Sequence, residues 1–579
     1  VRGYFTADAV RAAEVELFTR VPAGMPMRRA AFGLAAVVAR ELRARTGGVG
    51  GRVVTLLVGS GDNGGDALWA GSMLRRRGVA VHAVLLSPER VHREGLAALR
   101  RAGGRVRDEV GEPDLVIDGI VGISGRGALR PRAVELVATV TVPIIAADLP
   151  SGVDPDTGAV VGPAVRADVT VAFGAYKPVH ALAAPWCGRI ELVPIGLRLA
   201  LEVPPLVSRS IDRDRLNPAD PRSSDVGRSS RSSDAALEPD SSGVEDALHP
   251  SLADWETEML GAEGQAEPSP ATRQPGSPGT TRPLQSRAAA QVPDSSGAQG
   301  LPQPSLVALE PVSIGADWPV PGAADDKYTQ GVTGVCAGSA TYPGAAVLCT
   351  GAAVAATSGM VRYSGTGAAD VLAHFPEVIA APTVSATGRV QAWVFGPGAG
   401  TDDAARDRLA EILATDLPVV VDADGLTLLA ADPTLISGRT APTVLTPHAG
   451  EFARLTGQDP SPDRVAAVRK LADSWQVTVL LKGRATLIAT PDHPVLVNEA
   501  GGSWAATAGS GDVLSGIIGA LLAAGRDPSW AAAAAARVHA LAANLAAHDT
   551  TAAGSPTSAS PLLAHVRQAI GVLRDLAEV

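Results

Sequence analysis

Two glycine-rich segments with acidic ends, GSGDNGGD at residues 59–66 and TAGSGD at residues 507–512, constrain this chain more than any other feature. Each lies where a strand-like apolar run gives way to a helix-like pattern, so each can present backbone N–H groups and a helix N-terminus to an anion. Two such handovers, far apart in one chain, predict two nucleotide-phosphate sites on separate domains. The length agrees, because 579 residues exceed what one hydrophobic core usually serves.

The apolar runs define the fold class. In the first half RVVTLLV (52–58), VHAVLL (81–86), DLVIDGI (114–120) and PIIAAD (143–148) alternate with helix-like segments. Short continuous apolar runs of this kind read as buried parallel strands covered by helices. In the second half GVTGVCAGS (331–339), QAWVFGPGAG (391–400), PVVVDADG (418–425), TVLTPHAGE (443–451) and VTVLLKG (477–483) each end in a polar or glycine-rich loop. Both halves are therefore α/β, with polar residues gathered where ligands of such sheets collect, beyond the carboxyl ends of strands. Ala-rich helices close the second half, one of them around residues 530–548. The uncharged stretch 341–361 is almost long enough to span a bilayer, yet its Ala, Gly and Thr content predicts a buried helix.

Between the halves, residues 204–321 shift to Ser, Pro, Asp, Gly and Gln without periodicity, which predicts a disordered linker. The domains are thus expected at 1–203 and 322–579. A short apolar run at residues 306–309 is the one part of the linker able to dock on a neighbour.

Net charge is −10 without a long Lys/Arg run, which argues against nucleic acid or an anionic membrane as partner and for small ligands. Cys187, Cys336 and Cys349 have neither metal-ligand spacing nor an even count, so they read as buried free thiols in a reducing, cytoplasmic setting. The first residues lack the basic, apolar and small-residue sections of a signal peptide.

At the N-terminal loop, glycines allow close approach to a phosphate. Asp62 and Asp66 would repel phosphate directly, so they suit sugar hydroxyls, a helix cap or a cation. Asn63, Asp118 and Ser151 offer only oxygen ligands, a set for a hard cation and not for zinc. Asp148, emerging from a strand at the same sheet edge in DLPSGVD, is an acid/base candidate. Lys177 in FGAYKP reads equally well as a surface residue.

In order, an Ala-Ala-Glu helix start (12–14), the NGGD loop, DGIVGISGRG (118–127), DLPSGVD (148–154) and FGAYKP (173–178) resemble the NAD(P)H-hydrate epimerase family over residues 4–197. The resemblance implies a Rossmann-like three-layer sandwich that interconverts the R and S epimers of hydrated nicotinamide cofactors. It implies dinucleotide contacts from Asp62, Asn63, Gly64, Gly65 and Asp66 and from Gly122, Ile123, Ser124, Gly125, Arg126, Gly127 and Ala128. It further implies potassium held by Asn63, Asp118 and Ser151, and substrate contact and acid/base catalysis by Asp148. The chain departs from the family where Asp62-Asn63 replaces Asn-Asn and where Gly122-Ile123-Ser124 replaces Gly-Thr-Gly.

The C-terminal loop sets backbone donors beside a carboxylate. Phosphoryl transfer to a hydroxyl needs that arrangement: the loop and helix N-terminus stabilise the transferring phosphate while Asp512 accepts the hydroxyl proton. Lys482 and Arg484 follow a strand, where they can pair with nucleotide phosphate. His448 stands at a helix start, a place that favours a neutral ring and substrate contact over metal binding. Asp422 and Asp424 have an open role, orienting magnesium-bound water or closing the site.

KYTQGVTGVCAGSATYPGAA, GPGAG, DADGL, LTPHAGEFARL, LKGRAT and TAGSGDVLSGIIGALLAAG resemble the ADP-dependent NAD(P)H-hydrate dehydratase family over residues 326–573, which implies a ribokinase-like fold. By motif, Ala345, Gly398, His448 and Asp512 would contact the hydrate, and Lys482, Gly483, Arg484, Ala485, Thr486 and Gly511 the adenine nucleotide. ADP, with Mg2+, is the donor that bacterial-type members imply, and NADHX or NADPHX the substrate. The two resemblances together imply a homo-oligomeric repair enzyme whose halves are joined by a tether that raises local concentration without a rigid interface. The rival reading is a vitamin or sugar kinase with a non-catalytic nucleotide-binding N-terminal domain, since one fold serves both chemistries.

Overall fold

The computed structural model describes residues 1–200, 300–357 and 359–578; residues 204–299 of the expected linker lie outside the described residues. A short strand β1 (Arg2–Tyr4) precedes β2 (Val53–Val58), β3 (Ala80–Leu85), β4 (Arg105–Arg107), β5 (Leu115–Gly119), β6 (Ile144–Ala147), β7 (Val169–Phe173) and β8 (Arg189–Val193). The last seven form one sheet in the order β4-β3-β2-β5-β6-β7-β8. Every neighbouring pair in it is parallel.

Apolar side chains fill both sides of the central strands, as a sheet covered on two faces requires. On one face Leu34 and Val38 of the Met25–Thr46 helix and Leu68 and Leu74 of the Asp62–Arg76 helix pack on Val54, Leu56 and Val58. On the other, Ala133 and Leu136 of the Pro131–Ala138 helix meet Leu57, Val116 and Ile144. The result is the expected three-layer sandwich. Strand order reverses between β2 and β5, and their carboxyl ends open the crevice in which such sheets bind ligands. The two strand ends approach so closely that a Cβ on Gly59 would lie 1.8 Å from the Ile120 carbonyl oxygen. Only glycine fits there.

The second half contributes β9 (Leu306–Ala308), β10 (Val332–Cys336), β11 (Met360–Ser364), β12 (Ile379–Ala381), β13 (Ala392–Phe395), β14 (Val419–Val421), β15 (Thr443–Leu445), β16 (Thr478–Leu481), β17 (Ala485–Ala489) and β18 (Val495–Glu499). Their sheet runs β1-β9-β18-β17-β16-β15-β14-β13-β10-β11-β12. From β12 to β16 every pairing is parallel, whereas β16, β17 and β18 form an antiparallel meander. The helices Pro343–Ala356, Ser510–Ala523 and Pro528–His548 cover one face. Asp403–Leu413 and Arg464–Trp475 cover the other. The 341–361 stretch is accordingly a buried helix, and no helix among the described residues is long and apolar enough to cross a membrane. All three cysteines are buried and unpaired.

Two expectations change. The linker expected through residue 321 gives way earlier to regular structure: β9 and the Pro311–Asp317 helix lie within that range. Leu306 and Val307 are fully buried there, so a three-residue apolar run inside polar composition is enough to seat a strand once neighbours supply the hydrogen bonds. The halves also share a fixed junction. β1 pairs antiparallel with β9, which pairs parallel with β18. Tyr4 is buried against the core of the second half, its hydroxyl donates to Glu499, and Arg2 pairs with Glu310 at 3.4 Å. Tyr4 and Tyr176 rings sit 5.9 Å apart. A tether alone would have left this surface exposed.

Candidate active sites

The crevice at β2 and β5 holds a cavity of about 730 Å³. Asp62, Asn63 and Asp66 reach it from the first turns of the Asp62–Arg76 helix, whose start at Gly61 has no side-chain cap. Gly122, Ile123, Ser124, Gly125, Arg126, Gly127 and Ala128 line it from the loop after β5. Gly64 and Gly65 are buried within the helix and do not line it.

Asp148 follows β6 with φ of 66°, a left-handed conformation that turns its side chain toward the cavity wall. Lys177 Nζ and the Phe173 N–H, the latter at 3.0 Å, both donate to Asp148 Oδ1. Lys177, read as a possible surface residue, is in fact 1% exposed. It also donates to the Phe173 carbonyl at 2.9 Å. His180 completes the support: its Nδ1 accepts the Lys177 N–H at 3.0 Å and its Nε2 meets the Asp148 carbonyl at 2.9 Å. Burial pushes this imidazole down to about 4, so it stays neutral. An Asp backbone in a strained region, held by a buried ammonium and a neutral imidazole, is a preorganised carboxylate.

Around it the electrostatics favour retained protons. Burial, then the carboxylates of Asp148, Asp62 and Glu14, push Asp66 well above the usual carboxylate range. Glu14, on the Ala7–Arg20 helix, lines the same cavity. Burial and Asp148 likewise raise it. Sequence reasoning placed Glu14 in a motif but gave it no role.

Asp118 and Ser151 lie behind the cavity wall, fully buried. Ser151 Oγ donates to Asp118 Oδ1 at 2.7 Å and Ser151 N to Oδ2 at 2.9 Å. Burial drives Asp118 up to about 6 against these hydrogen bonds. Asn63 Nδ2 is buried with no hydrogen-bond partner. The Asn63 side chain faces Gly122, where an added Cβ would lie 3.5 Å from its Oδ1.

A second cavity, about 610 Å³, lies over the N-terminus of the Ser510–Ala523 helix. Gly509 precedes that helix with φ of 81°. Gly511, Asp512, His448, Lys482, Gly483, Arg484, Thr486 and Asp422 line the cavity, so eight of the twelve residues singled out in this half meet there. Ala485 points into the core of β17, 4% exposed. Ala345 and Gly398 are neighbours, a Cβ on Gly398 falling 2.9 Å from Ala345 Cβ, but neither belongs to the wall of this cavity.

Asp512 is the outstanding group. Burial, reinforced by the Asp422 and Asp424 carboxylates and only partly offset by Lys482, pushes it up to about 7. Lys482 is anchored beside it, donating to Asp422 Oδ1 at 2.6 Å, with Glu451 3.8 Å away. Burial works to lower this ammonium, but Asp422 and Glu451 outweigh it and hold it up. Ser515 Oγ donates to Asp422 Oδ2 at 2.8 Å. A Cβ on Gly511 would stand 3.2 Å from Lys482 Nζ, so glycine keeps the approach to the ammonium open. Asp424, by contrast, accepts the Gly400 N–H at 2.9 Å and fixes a loop.

His448 caps the Ala449–Thr456 helix. Its Nδ1 accepts from Gly450 N at 3.0 Å and Glu451 N at 3.3 Å, while Glu451 Oε2 accepts from His448 N at 2.8 Å. Among the lining residues missed from sequence are Glu451, Asn498 and His539. His539 Nε2 meets the Ser510 carbonyl at 2.8 Å, and burial lowers the ring to about 4. They sit singly in ordinary strand and helix patterns, and only Glu451 carried a signal, three residues after a helix-capping His.

Fold and sites together define a fusion of a Rossmann-like α/β sandwich with a ribokinase-like α/β domain, each presenting a glycine-rich helix start beside carboxylates. The family described as YjeF-related protein N-terminus matches residues 25–179, and the family described as NAD(P)H-hydrate dehydratase matches residues 333–564. A Mycobacterium tuberculosis protein named bifunctional NAD(P)H-hydrate repair enzyme Nnr is 52% identical over 577 residues, covering 99% of this chain and 100% of its own length. A Corynebacterium glutamicum protein of the same name is 34% identical, covering 88% of this chain and 87% of its own. Among solved structures, ADP/ATP-dependent NAD(P)H-hydrate dehydratase of Bacillus subtilis, co-crystallised with ATP/Mg2+, is 26% identical over 45% of this chain and 97% of its own, with TM-score 0.40. The chain belongs to the bifunctional NAD(P)H-hydrate repair enzyme family.

Proposed function

We propose that the chain repairs hydrated nicotinamide cofactors: its N-terminal cavity interconverts R- and S-NAD(P)HX, and its C-terminal cavity dehydrates the S epimer with ADP. The observation carrying this reading is Asp512, held near 7 at the mouth of a helix N-terminus with Lys482 beside it. A carboxylate with that proton affinity is matched to removing a hydroxyl proton at neutral pH.

In the dehydration, Asp512 takes the proton of the C6 hydroxyl, whose oxygen attacks the terminal phosphate of ADP. AMP leaves. The Ser510–Ala523 helix N-terminus and Lys482 stabilise charge on the transferring phosphoryl group. The ring nitrogen lone pair then expels phosphate from C6, and loss of a C5 proton restores the dihydropyridine. Magnesium, when bound with the nucleotide, neutralises phosphate charge. His448, Gly483, Arg484, Thr486 and Gly511 are in position to orient substrate and nucleotide, and the relatives' names support this assignment of chemistry.

In the first cavity, Asp148 is the acid/base group, with Asp62, Asp66 and residues 122–128 cradling the dinucleotide. The oxygen-only set of Asn63, Asp118 and Ser151, gathered from a helix start, a strand end and the DLPS loop, fits potassium. The fully buried Asp118 supports this fit, because among the described residues it has no cationic side-chain partner and a bound cation would compensate its charge.

Recovery of reduced-nicotinamide absorbance from mixed epimers, with ADP, ATP or neither, tests the reading. Full recovery with release of AMP and phosphate is expected with ADP. Recovery of half the material would leave the first cavity without its activity, and accumulation of a phosphorylated product would make the second domain a kinase.

A further inference from the structure

The N-terminal cavity contains a carboxyl group to which neither family resemblance nor the support of Asp148 gives a role. We infer that Glu14 is the second catalytic residue of the R/S interconversion, donating the proton with which the C6 hydroxyl departs, while Asp148 receives the proton of the water that returns. This deepens the epimerase reading and rests on it.

Epimerising C6 of the hydrated ring through loss of its hydroxyl and return of water on the opposite face takes one proton given and one proton taken. Asp148 has Oδ1 committed to Lys177 and to the Phe173 N–H, an arrangement that suits the accepting role. Glu14 lines the same cavity from a different element and, among the described residues, makes no hydrogen bond or ion pair.

Its position is fixed by the chain on either side. Thr6 caps the Ala7–Arg20 helix through Ala9 N. Ala7 N donates to Asp156 Oδ1 at 2.7 Å. Phe5 N donates to the Tyr176 carbonyl at 2.8 Å, tying the helix start to the residue beside Lys177. One turn before Glu14, Arg11 donates to the Ile123 carbonyl at 3.0 Å and anchors the helix to the 122–128 loop. Glu14 therefore projects from a rigid element held by the strap that carries Lys177.

The charged groups facing Glu14 are Arg11 on its own helix, Asp62 and Asp66 on the Asp62–Arg76 helix, Asp148 after β6 and Lys177 after β7. Three carboxylates against two cations, together with half-burial, make Glu14 hold its proton longer than an exposed glutamate. Asp148, engaged by a buried ammonium, and Glu14, which has no such partner, face one cavity from two different elements, as an acid and base pair must.

The step balances. Glu14 gives its proton to the C6 hydroxyl, the C6–O bond breaks, water leaves, and the nitrogen lone pair forms the N1=C6 double bond of a ring iminium. Water then adds to the other face of C6, the double-bond electrons return to nitrogen, and Asp148 takes the proton. Nothing is oxidised or reduced, and one proton has passed from Glu14 to Asp148, to be returned through solvent or the reverse turnover.

The test uses the full chain with the pure S epimer and no ADP, following the R epimer by chromatography above the spontaneous rate. Glu14→Gln should lower kcat for epimerisation about 100-fold or more, with little change in KM, and should abolish the alkaline fall of the kcat profile. Glu14→Asp should retain an intermediate rate with that fall preserved. With ADP present, S-epimer dehydration by the same Glu14→Gln preparation should match the native chain, which certifies the fold. Epimerisation by Glu14→Gln within threefold of native, or a loss confined to KM with the alkaline limb intact, would overturn the assignment. If Asp148→Asn stops epimerisation while Glu14→Gln does not, this inference alone fails. If the native chain does not epimerise, the reading beneath it fails as well.

Discussion

Replacing Asp512 by Asn separates what this carboxylate does for chemistry from what it does to stability. Its pKa rises from the ordinary 3.8 to about 7 on folding. The shift is slightly over three units, so at about 1.36 kcal/mol per unit the ionised carboxylate costs the fold on the order of 4 kcal/mol once pH is well above 7. The sign follows from linkage: the stability contribution is complete below the unfolded pKa and is lost as pH rises through the folded one. At pH 5 about 1.7 kcal/mol of that cost is already present, and ~2.5 kcal/mol more develops by pH 8.5. Asn has no such titration. Denaturant unfolding of ligand-free native chain and Asp512→Asn at the two pH values isolates the effect as a difference of differences, since other titrating groups are common to both. Asp512→Asn should gain about 2.5 kcal/mol on the native chain between pH 5 and pH 8.5, and should lose dehydration by at least 100-fold. A gap that stays constant with pH would mean that the burial and neighbouring carboxylates do not act on Asp512 as argued, and the base assignment would lose its foundation.

The native dehydration rate should rise through about pH 7 as Asp512 deprotonates, a limb absent from Asp512→Asn and read from initial rates with saturating ADP. Asp148→Asn should stop R-to-S conversion while S-epimer dehydration continues, visible as recovery of only the S fraction of a mixture. Tyr4→Phe removes a donor to Glu499 at the β1–β9–β18 junction and should cost about 1.5–3 kcal/mol, lowering together the denaturant midpoints at which the two activities disappear. Midpoints that separate, with only epimerisation affected, would refute a shared stability. Gly59→Ala should fail to accumulate as soluble protein, or lose several kcal/mol by denaturant unfolding, because its methyl group would overlap the Ile120 carbonyl.

Much of the fold can be read from residues such as Val53–Val58 and Leu115–Gly119, because a strand buried on both faces is apolar along most of its length, Thr55 and Asp118 being the hydrogen-bonded exceptions. The same logic fails at edges. β4 consists of Arg105, Val106 and Arg107, all exposed, and β8 carries Arg189 and Glu191, so neither shows an apolar run. β1 and β9 fail for another reason: each is three residues long and exists only because its partner lies about 300 positions away. Composition marked residues 306–309 as able to dock, and could not say on what.

The sites follow a related rule. Asp62, Asp148 and Asp512 were legible because they adjoin glycine-rich loops at strand ends, a local pattern. The groups that set their chemistry are not local. Lys177 reads equally well as a surface residue until β7 brings it to Asp148 at full burial, and Asp422 gains meaning only when β14, β16 and the Ser510–Ala523 helix converge on it. Burying these charges is costly unless each finds a partner, and the partners here join residues 29, 60 and 93 positions apart. Sequence motifs therefore locate where reaction is possible, whereas the protonation states that make it work at neutral pH arise from tertiary pairing. That is why Glu14, which reaches the cavity of Asp148 from a helix far from it in the sequence, stands out only once the chain is folded.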